Sequence, residues 1–302
     1  MTDSNYFDVI IIGGSYAGLS AGMALGRAIR RVLIIDSGKP CNAQTPYSHN
    51  FLTQDGKTPR QIAKTAREQL NQYQTVEHHA GVAASGRKTD GGFDITTASG
   101  KTFIAKKLIF ATGVRDLMPP ITGFAACWDI SIIHCPYCHG FEVRNEKTGI
   151  MVNGDAGFEM AKEIYNWTKD LTLFTNGPSL LSKEQAEKLK QKGIGIVETE
   201  IQEFVHHEGQ LRHVALKDGT RVVLKAVYAR PSYEQHCTIP ETLGCGLTEV
   251  GHIKVDAFQR TTTEGVFACG DNCTPLRSVS NAVAMGTTAG AMVNKALVAE
   301  EF

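Results

Sequence analysis

The sequence predicts an α/β chain with two Rossmann-like nucleotide-binding domains, each a three-layer ββα arrangement. Three observations carry that prediction. Residues 7–12 form a nearly continuous β-branched apolar run that ends on the glycine-rich turn Gly13-Gly-Ser15-Tyr-Ala17-Gly18. A damaged copy of the pattern, Met151-Val152-Asn-Gly154-Asp-Ala-Gly157, recurs in mid-chain. Between the two stands Cys135-Pro-Tyr-Cys138-His139-Gly140, whose cysteines are spaced to alternate between dithiol and disulfide. A length of 302 residues is enough for two domains with separate cores.

A run apolar on both faces suits a strand buried within a parallel sheet. Residues 17–30 then carry small and aliphatic side chains at helical spacing, and 31–35 give a second buried strand closing on Asp36. That is one βαβ unit. Residues 93–97 and 102–104 predict an antiparallel hairpin around Ser99-Gly100, and 107–112 a further buried strand closing on Ala111-Thr112-Gly113. Met118-Pro119-Pro120 marks a boundary, because tandem prolines stop regular structure. A second βαβ unit follows, with strands over 148–152 and 171–175 around a helix from 157 to 168. Residues 222–229 read as another strand, and Gly265-Val-Phe-Ala-Cys-Gly270-Asp271 precedes a final helix over 279–298.

Lysine plus arginine equals aspartate plus glutamate at 31 each, so nucleic acid and anionic membrane are poor partners. The polar start Met1-Thr-Asp-Ser-Asn-Tyr has no secretory character, and no apolar run approaches the ~20 residues that span a bilayer. A soluble, cytoplasmic chain is expected. Most of the eight cysteines then read as reduced, buried small hydrophobes. No metal site is predicted: the only other close pair, Cys269 and Cys273, lies in a glycine-rich turn without a nearby histidine.

In the first unit, Gly13 and Gly18 occupy the outer glycine positions of a phosphate-binding turn, and Ser15 replaces the middle one. A helix start there offers free N–H groups to a pyrophosphate, and Asp36 suits a ribose hydroxyl. An empty βαβ unit is the alternative. In the second unit Val152 stands where the tight-turn glycine belongs. Its second strand leads into Thr175-Asn176-Gly177-Pro178, with neither the acid that holds an NAD ribose nor the arginine that holds a 2′-phosphate. A retained fold with a lost or weakened nicotinamide site follows. Proline and tyrosine between the cysteines favour a turn into a helix whose N-terminus stabilises a thiolate. His139 can carry the proton that thiol–disulfide exchange moves near neutral pH, and His134 flanks the other side. Two buried thiols, or half a metal site, are the structural alternative.

Together, Gly13–Gly18, Asp36, Ala111-Thr112-Gly113, Cys135-x-x-Cys138 and Gly270-Asp271 resemble the low-molecular-weight thioredoxin reductase-like family of FAD flavoproteins. The resemblance implies a discontinuous FAD-binding domain from residues 1–116 and 231–302, and a nicotinamide-binding-like domain, 117–230, that carries the cysteines. It implies that Cys138 faces the flavin and Cys135 exchanges with substrate. It further implies that Gly13, Ser15, Ala17, Gly18, Asp36, Thr112, Gly113, Gly270 and Asp271 bind FAD, with Gln44 and Asn50 at the isoalloxazine and Val82 at the adenine. A homodimer and a rotating middle domain are also implied. The chain departs from thioredoxin reductases at His139, where they carry an acid, and in lacking a basic cluster after residue 175. Cys-Pro-Tyr-Cys-His-Gly is more similar to the branch with gliotoxin-type dithiol oxidases.

The expected function is an FAD-dependent thiol/disulfide oxidoreductase, with Cys135, Cys138 and His139 as catalytic residues and NADPH use in doubt. Its substrate would be a small dithiol or disulfide, or a thioredoxin-like protein. One alternative is an NADPH-dependent thioredoxin-disulfide reductase holding the phosphate through Lys183 or Lys188. Another is a non-catalytic flavoprotein redox sensor.

Overall fold

The computed structural model describes residues 5–302; the polar start at residues 1–4 lies outside the described residues. The chain divides into two compact units. One runs to Ala43 and continues through Phe51–Arg115 and Tyr233–Phe302; the other comprises Gln44–Asn50 and Asp116–Ser232.

The first unit is built on a seven-stranded sheet. The strands Val32–Asp36, Tyr6–Ile12 and Thr102–Phe110 run parallel side by side, in register from Ile35 through Ile12 to Phe110. Residues 102–110 form one strand rather than a hairpin arm followed by a second strand. Its first half pairs antiparallel with Gly92–Thr97 and its second half parallel with Val266–Ala268. The chain thus continues as strand through residues 105–106, and Lys106 and Lys107 sit mid-strand paired with Glu301 and Glu300.

Alternation divides the core. Val9, Ile11, Val32, Ile34 and Ile109 pack against the helices Tyr16–Arg27 and Val279–Glu301. Ile10, Ile12, Leu33, Ile35 and Phe110 pack with Phe93 and Phe103 in a separate cluster. The two helices touch closely, since a Cβ added at Gly286 would lie 2.1 Å from the Ala17 carbonyl oxygen. The helix predicted over 17–30 stops at Arg27, where Ile29 adopts a left-handed φ of +60°.

The second unit holds a five-stranded parallel sheet in the order Gly195–Val197, Leu171–Phe174, Thr148–Met151, Ala226–Ala229, Ile132–Ile133. A three-stranded antiparallel sheet, Ile201–His207, Gln210–Leu216 and Arg221–Val222, packs Phe204, Val214 and Leu216 onto it. The strand predicted over 222–229 is thus two strands belonging to different sheets. The helix Gly154–Ile164 starts earlier than the predicted 157–168 because Asn153 caps it, and it ends earlier, at Ile164. No helix among the described residues is long and apolar enough to cross a membrane.

Candidate active site

Three adjacent strand ends meet in the first unit. Ile12, Phe110 and Ala268 are in register, so the turns after them leave the sheet side by side. Crevices of this kind, at the carboxyl ends of parallel strands, bind nucleotides. Gly13 has φ +106°, and a Cβ there would lie 2.2 Å from the Ala111 carbonyl oxygen. A Cβ at Gly18 would lie 1.8 Å from the Gly13 carbonyl oxygen, so both positions require glycine. Ser15 is the N-cap of Tyr16–Arg27, yet its hydroxyl makes no cap bond, and no acid lies in the first turn. Ala17 is buried behind that turn. The first amides of a helix lack intrahelical partners, so this end offers donors to an anion.

Asp36 closes the other side, its Oδ1 accepting from the Gly14 N–H at 3.1 Å, with Arg67 4.0 Å from Oδ2. Thr112 and Gly113 leave the central strand end beside Gly270 and Asp271, whose carboxylate lies 3.4 Å from the Arg277 guanidinium. Fully buried Asn272 donates from Nδ2 to the Phe110 carbonyl at 2.9 Å and to Thr112 Oγ1 at 3.3 Å, while its Oδ1 has no partner. Val82, the expected adenine contact, is exposed, and its carbonyl accepts from Ala98 N–H. Gln44 and Asn50 are exposed residues of the 44–50 segment, which belongs to the second unit.

In the second unit, Cys135 and Cys138 form a disulfide with Cα atoms 5.3 Å apart. Cys135 precedes, and Cys138 lies within, the single helical turn Pro136–His139, which follows the edge strand Ile132–Ile133. Cys135 is its N-cap, and Cys135 Sγ accepts the Cys138 N–H at 3.1 Å, a contact that would stabilise a thiolate. The ring of His139 is half-buried. Desolvation holds its pKa down to about 4, against the attraction of Asp129 and with repulsion from His134 and His49. The imidazole is therefore neutral at physiological pH and able to accept a proton. Tyr137, between the two cysteines, and Phe141, three residues after Cys138, are exposed, with Tyr137 edge-on to Trp167. Of the other cysteines, Cys127, Cys245 and Cys269 are buried and Cys41 is exposed. Burial pushes the Cys273 thiol up to about 12 and raises that of Cys269 well above its ordinary value, so both are inert as nucleophiles.

The mid-chain glycine turn has the same frame and different contents. A Cβ at Gly157 would lie 2.4 Å from the Val152 carbonyl oxygen, which puts Val152 in the place that Gly13 holds in the first copy. The N-terminus of Gly154–Ile164 is closed by its own chain. Asn153 Oδ1 accepts from Gly154 N–H at 2.8 Å and Leu180 N–H at 2.9 Å, and its Nδ2 donates to the Pro178 carbonyl at 2.9 Å. Asp155 places an acid in the first turn, accepting from Gln185 Nε2 at 2.8 Å. Asn176 is a loop brace, its Oδ1 accepting the Ile201 N–H at 2.7 Å. Lys188 is engaged by Glu184 at 2.8 Å.

The sequence pattern of the pyridine nucleotide-disulphide oxidoreductase family matches residues 7–286. The chain belongs to that family. It is 34% identical over 311 residues to the thioredoxin reductase tcpT of Claviceps purpurea, covering 99% of this chain and 97% of the relative. It is 34% identical to the thioredoxin reductase sirT of Leptosphaeria maculans, covering 97% and 95%. An oxidoreductase from Agrobacterium tumefaciens superposes with a TM-score of 0.91 at 36% identity, over 97% of this chain and 99% of that one. The fold and the enzyme class are those of thioredoxin reductase-like disulfide oxidoreductases, a family whose cofactor is FAD.

The first-unit crevice fits such a cofactor. Ser15 presents an uncommitted hydroxyl, the glycines leave room at the backbone, and the helix start carries no acid. Asn272 Oδ1 is a buried acceptor lacking a donor. Asn272 and Arg277 were not singled out from the sequence, although Asn272 directly follows the Gly270-Asp271 signature. Arg67 and Asp129 carried no motif at all.

Proposed function

We propose that this chain is an FAD-dependent thiol/disulfide oxidoreductase that does not draw on NADPH through its second nucleotide-binding unit. Electrons would pass between an external small dithiol or disulfide, or a thioredoxin-like protein, and the Cys135–Cys138 pair. Bound FAD supplies the two-electron partner for that pair. Gly13, Ser15, Ala17, Gly18, Asp36, Thr112, Gly113, Gly270 and Asp271 would hold it, joined by Asn272 and Arg277. Gln44, Asn50 and Val82 remain assigned to FAD by resemblance alone.

The observation that carries this reading is the contrast between two helix starts of one design. The first has an unspent hydroxyl and no acid. The second has the Asn153 carboxamide seated on its leading amide and Asp155 in its first turn. A pyrophosphate at the second would have to displace three hydrogen bonds and approach a carboxylate. Cys135 would exchange with substrate, Cys138 would be the thiol on the flavin side, and neutral His139 would accept and return the proton.

The test is an anaerobic titration of the oxidised protein with NADPH, NADH and a dithiol in parallel, following flavin absorbance. Bleaching by the dithiol with none at micromolar NADPH is expected; rapid bleaching by NADPH overturns the reading. The names of the fungal relatives favour a second reading, reduction of a thioredoxin-like disulfide. Bleaching by NADPH followed by reduction of a thioredoxin would establish it.

A further inference from the structure

Cys135 is preceded by an imidazole whose inner edge is held in place. His134 leaves the edge strand Ile132–Ile133 with its ring stacked on Trp128, centroids 5.6 Å apart and planes at 22°. Trp128 in turn stacks on fully buried Phe124 at 5.7 Å and 19°. This aromatic column fixes the plane of the imidazole. His134 Nδ1 is shielded from solvent, has no hydrogen-bond partner, and faces Asp129 Oδ1 at 3.6 Å. Asp129 is buried and holds a left-handed φ of +59° in the turn between Trp128 and Ile132. Its own N–H is spent on the Ile132 carbonyl at 2.8 Å, so the turn that aims the carboxylate is itself closed.

A buried carboxylate is costly unless paired, and the ion-pair partner this one has is His134. The same carboxylate attracts a proton to His139, whereas His134 and His49 repel one from it. His49 is itself 3.5 Å from Glu142. The titratable groups facing these imidazoles are therefore the acids Asp129 and Glu142, beside His49. A buried acid behind one nitrogen of an imidazole is the arrangement that orients a base in hydrolases and cysteine enzymes, and here the disulfide sulfur of Cys135 belongs to the next residue.

We infer that His134 is the base for the substrate thiol that attacks Cys135, and that Asp129 is the positioning residue that keeps the proton on Nδ1 and leaves Nε2 to act. The inference rests on the thiol/disulfide reading above. In the step, the substrate S–H proton passes to His134 Nε2 and the substrate sulfur bonds to Cys135 Sγ. The Cys135–Cys138 bond breaks, its electron pair leaving on Cys138 as the thiolate. The second substrate thiol then attacks the first substrate sulfur, passing its proton to solvent. Cys135 leaves with its electron pair and recovers the proton held on His134. The substrate dithiol is oxidised to a disulfide, and the cysteine pair is reduced by the same two electrons. His139, which follows Cys138 in the helical turn, is left to manage the proton on that sulfur.

The experiment mixes the flavin-loaded protein with dithiothreitol anaerobically, at pH 7 and pH 10. Opening of the disulfide is read by quenched alkylation and mass spectrometry of Cys135 and Cys138, beside flavin absorbance. At pH 7, His134→Gln should slow opening by about 100-fold, within the range of a lost general base. At pH 10, above the ordinary thiol pKa of ~8.5, the substrate is its own thiolate and the variant should come within about threefold of the wild type. Asp129→Asn should show a smaller loss at pH 7 and the same recovery. A purely structural role would slow both pH values alike, and that result, or an unslowed His134→Gln, overturns the inference. His134→Asn with a matched melting temperature separates loss of the base from loss of the stack. If dithiothreitol fails to open the wild-type disulfide, the thiol/disulfide reading falls and takes this step with it.

Discussion

Replacing His139 by glutamine should remove a defined part of the protein's acid sensitivity. Desolvation lowers the His139 pKa from 6.5 to about 4, so between those values the unfolded chain binds a proton that the folded chain does not. Stability therefore rises with pH across that window and is lost as pH falls from 6.5 toward 4. At pH 5 the unfolded histidine is almost wholly protonated and the folded one about one-tenth protonated. Integration from pH 7 to pH 5 gives about 2 kcal/mol of lost stability from this one group. Burial also lowers His78 and His252, so the wild-type slope alone is not diagnostic. The assay is urea unfolding of wild type and His139→Gln at pH 7 and pH 5, at equal flavin saturation. The wild type should lose about 2 kcal/mol more than the variant. Equal losses would mean that the folded imidazole titrates like a solvated one, and the neutral-base role given to it would fail.

Gly18→Ala puts a methyl 1.8 Å from the Gly13 carbonyl oxygen, so the turn must open; purified protein should retain less than about one-tenth of the flavin. Full flavin content would refute the assignment of this turn. Asn153→Ala removes the cap of Gly154–Ile164 and frees the Leu180 N–H and Pro178 carbonyl, and urea unfolding should report a loss of about 1–2 kcal/mol. An unchanged midpoint would mean that the carboxamide does not hold this end closed. Cys138→Ser should abolish dithiol-driven flavin bleaching while leaving the melting temperature within a few degrees. An unaltered flavin spectrum with unaltered thiol turnover would favour a non-catalytic flavoprotein.

What was legible in the sequence was what is local. The strand into Gly13, the helix from Tyr16 and the return to Asp36 lie within about thirty consecutive residues, and their apolar pattern announces them. The helix Pro59–Leu70 is local in the same way. Thr58 and Gln61 form a capping box around Pro59, and that signature stands in the sequence. The hairpin Ile201–His207 with Gln210–Leu216 was harder. Its turn residues Glu208 and Gly209 both take positive φ, and polar residues cover its outer face. The closure of the second helix start could not be read, because Asn153 meets Leu180 twenty-seven residues away. Nor could Asp129, an acid without a motif whose partner is defined only by a tight turn.

The two glycine turns show why a motif count is a weak guide to what a unit binds. Both copies keep the glycine that lets a helix press on the preceding strand, since a Cβ at Gly18 or Gly157 would strike the carbonyl five residues earlier. That glycine serves packing, and packing is needed whether or not a nucleotide is bound. The positions that differ are those facing the ligand. At the first start an extended Ser15 leaves its hydroxyl unspent; at the second, Asn153 spends both ends of its carboxamide on its own backbone. An amide that accepts from a helix N–H satisfies the donor a phosphate would need, and Asp155 adds the wrong sign of charge. On the proposed reading, these bonds let the second copy serve as a scaffold for the cysteine pair without a ligand. Val152, in the place Gly13 holds in the first copy, and the hydrogen bonds of Asn153 are thus the two features on which that reading rests.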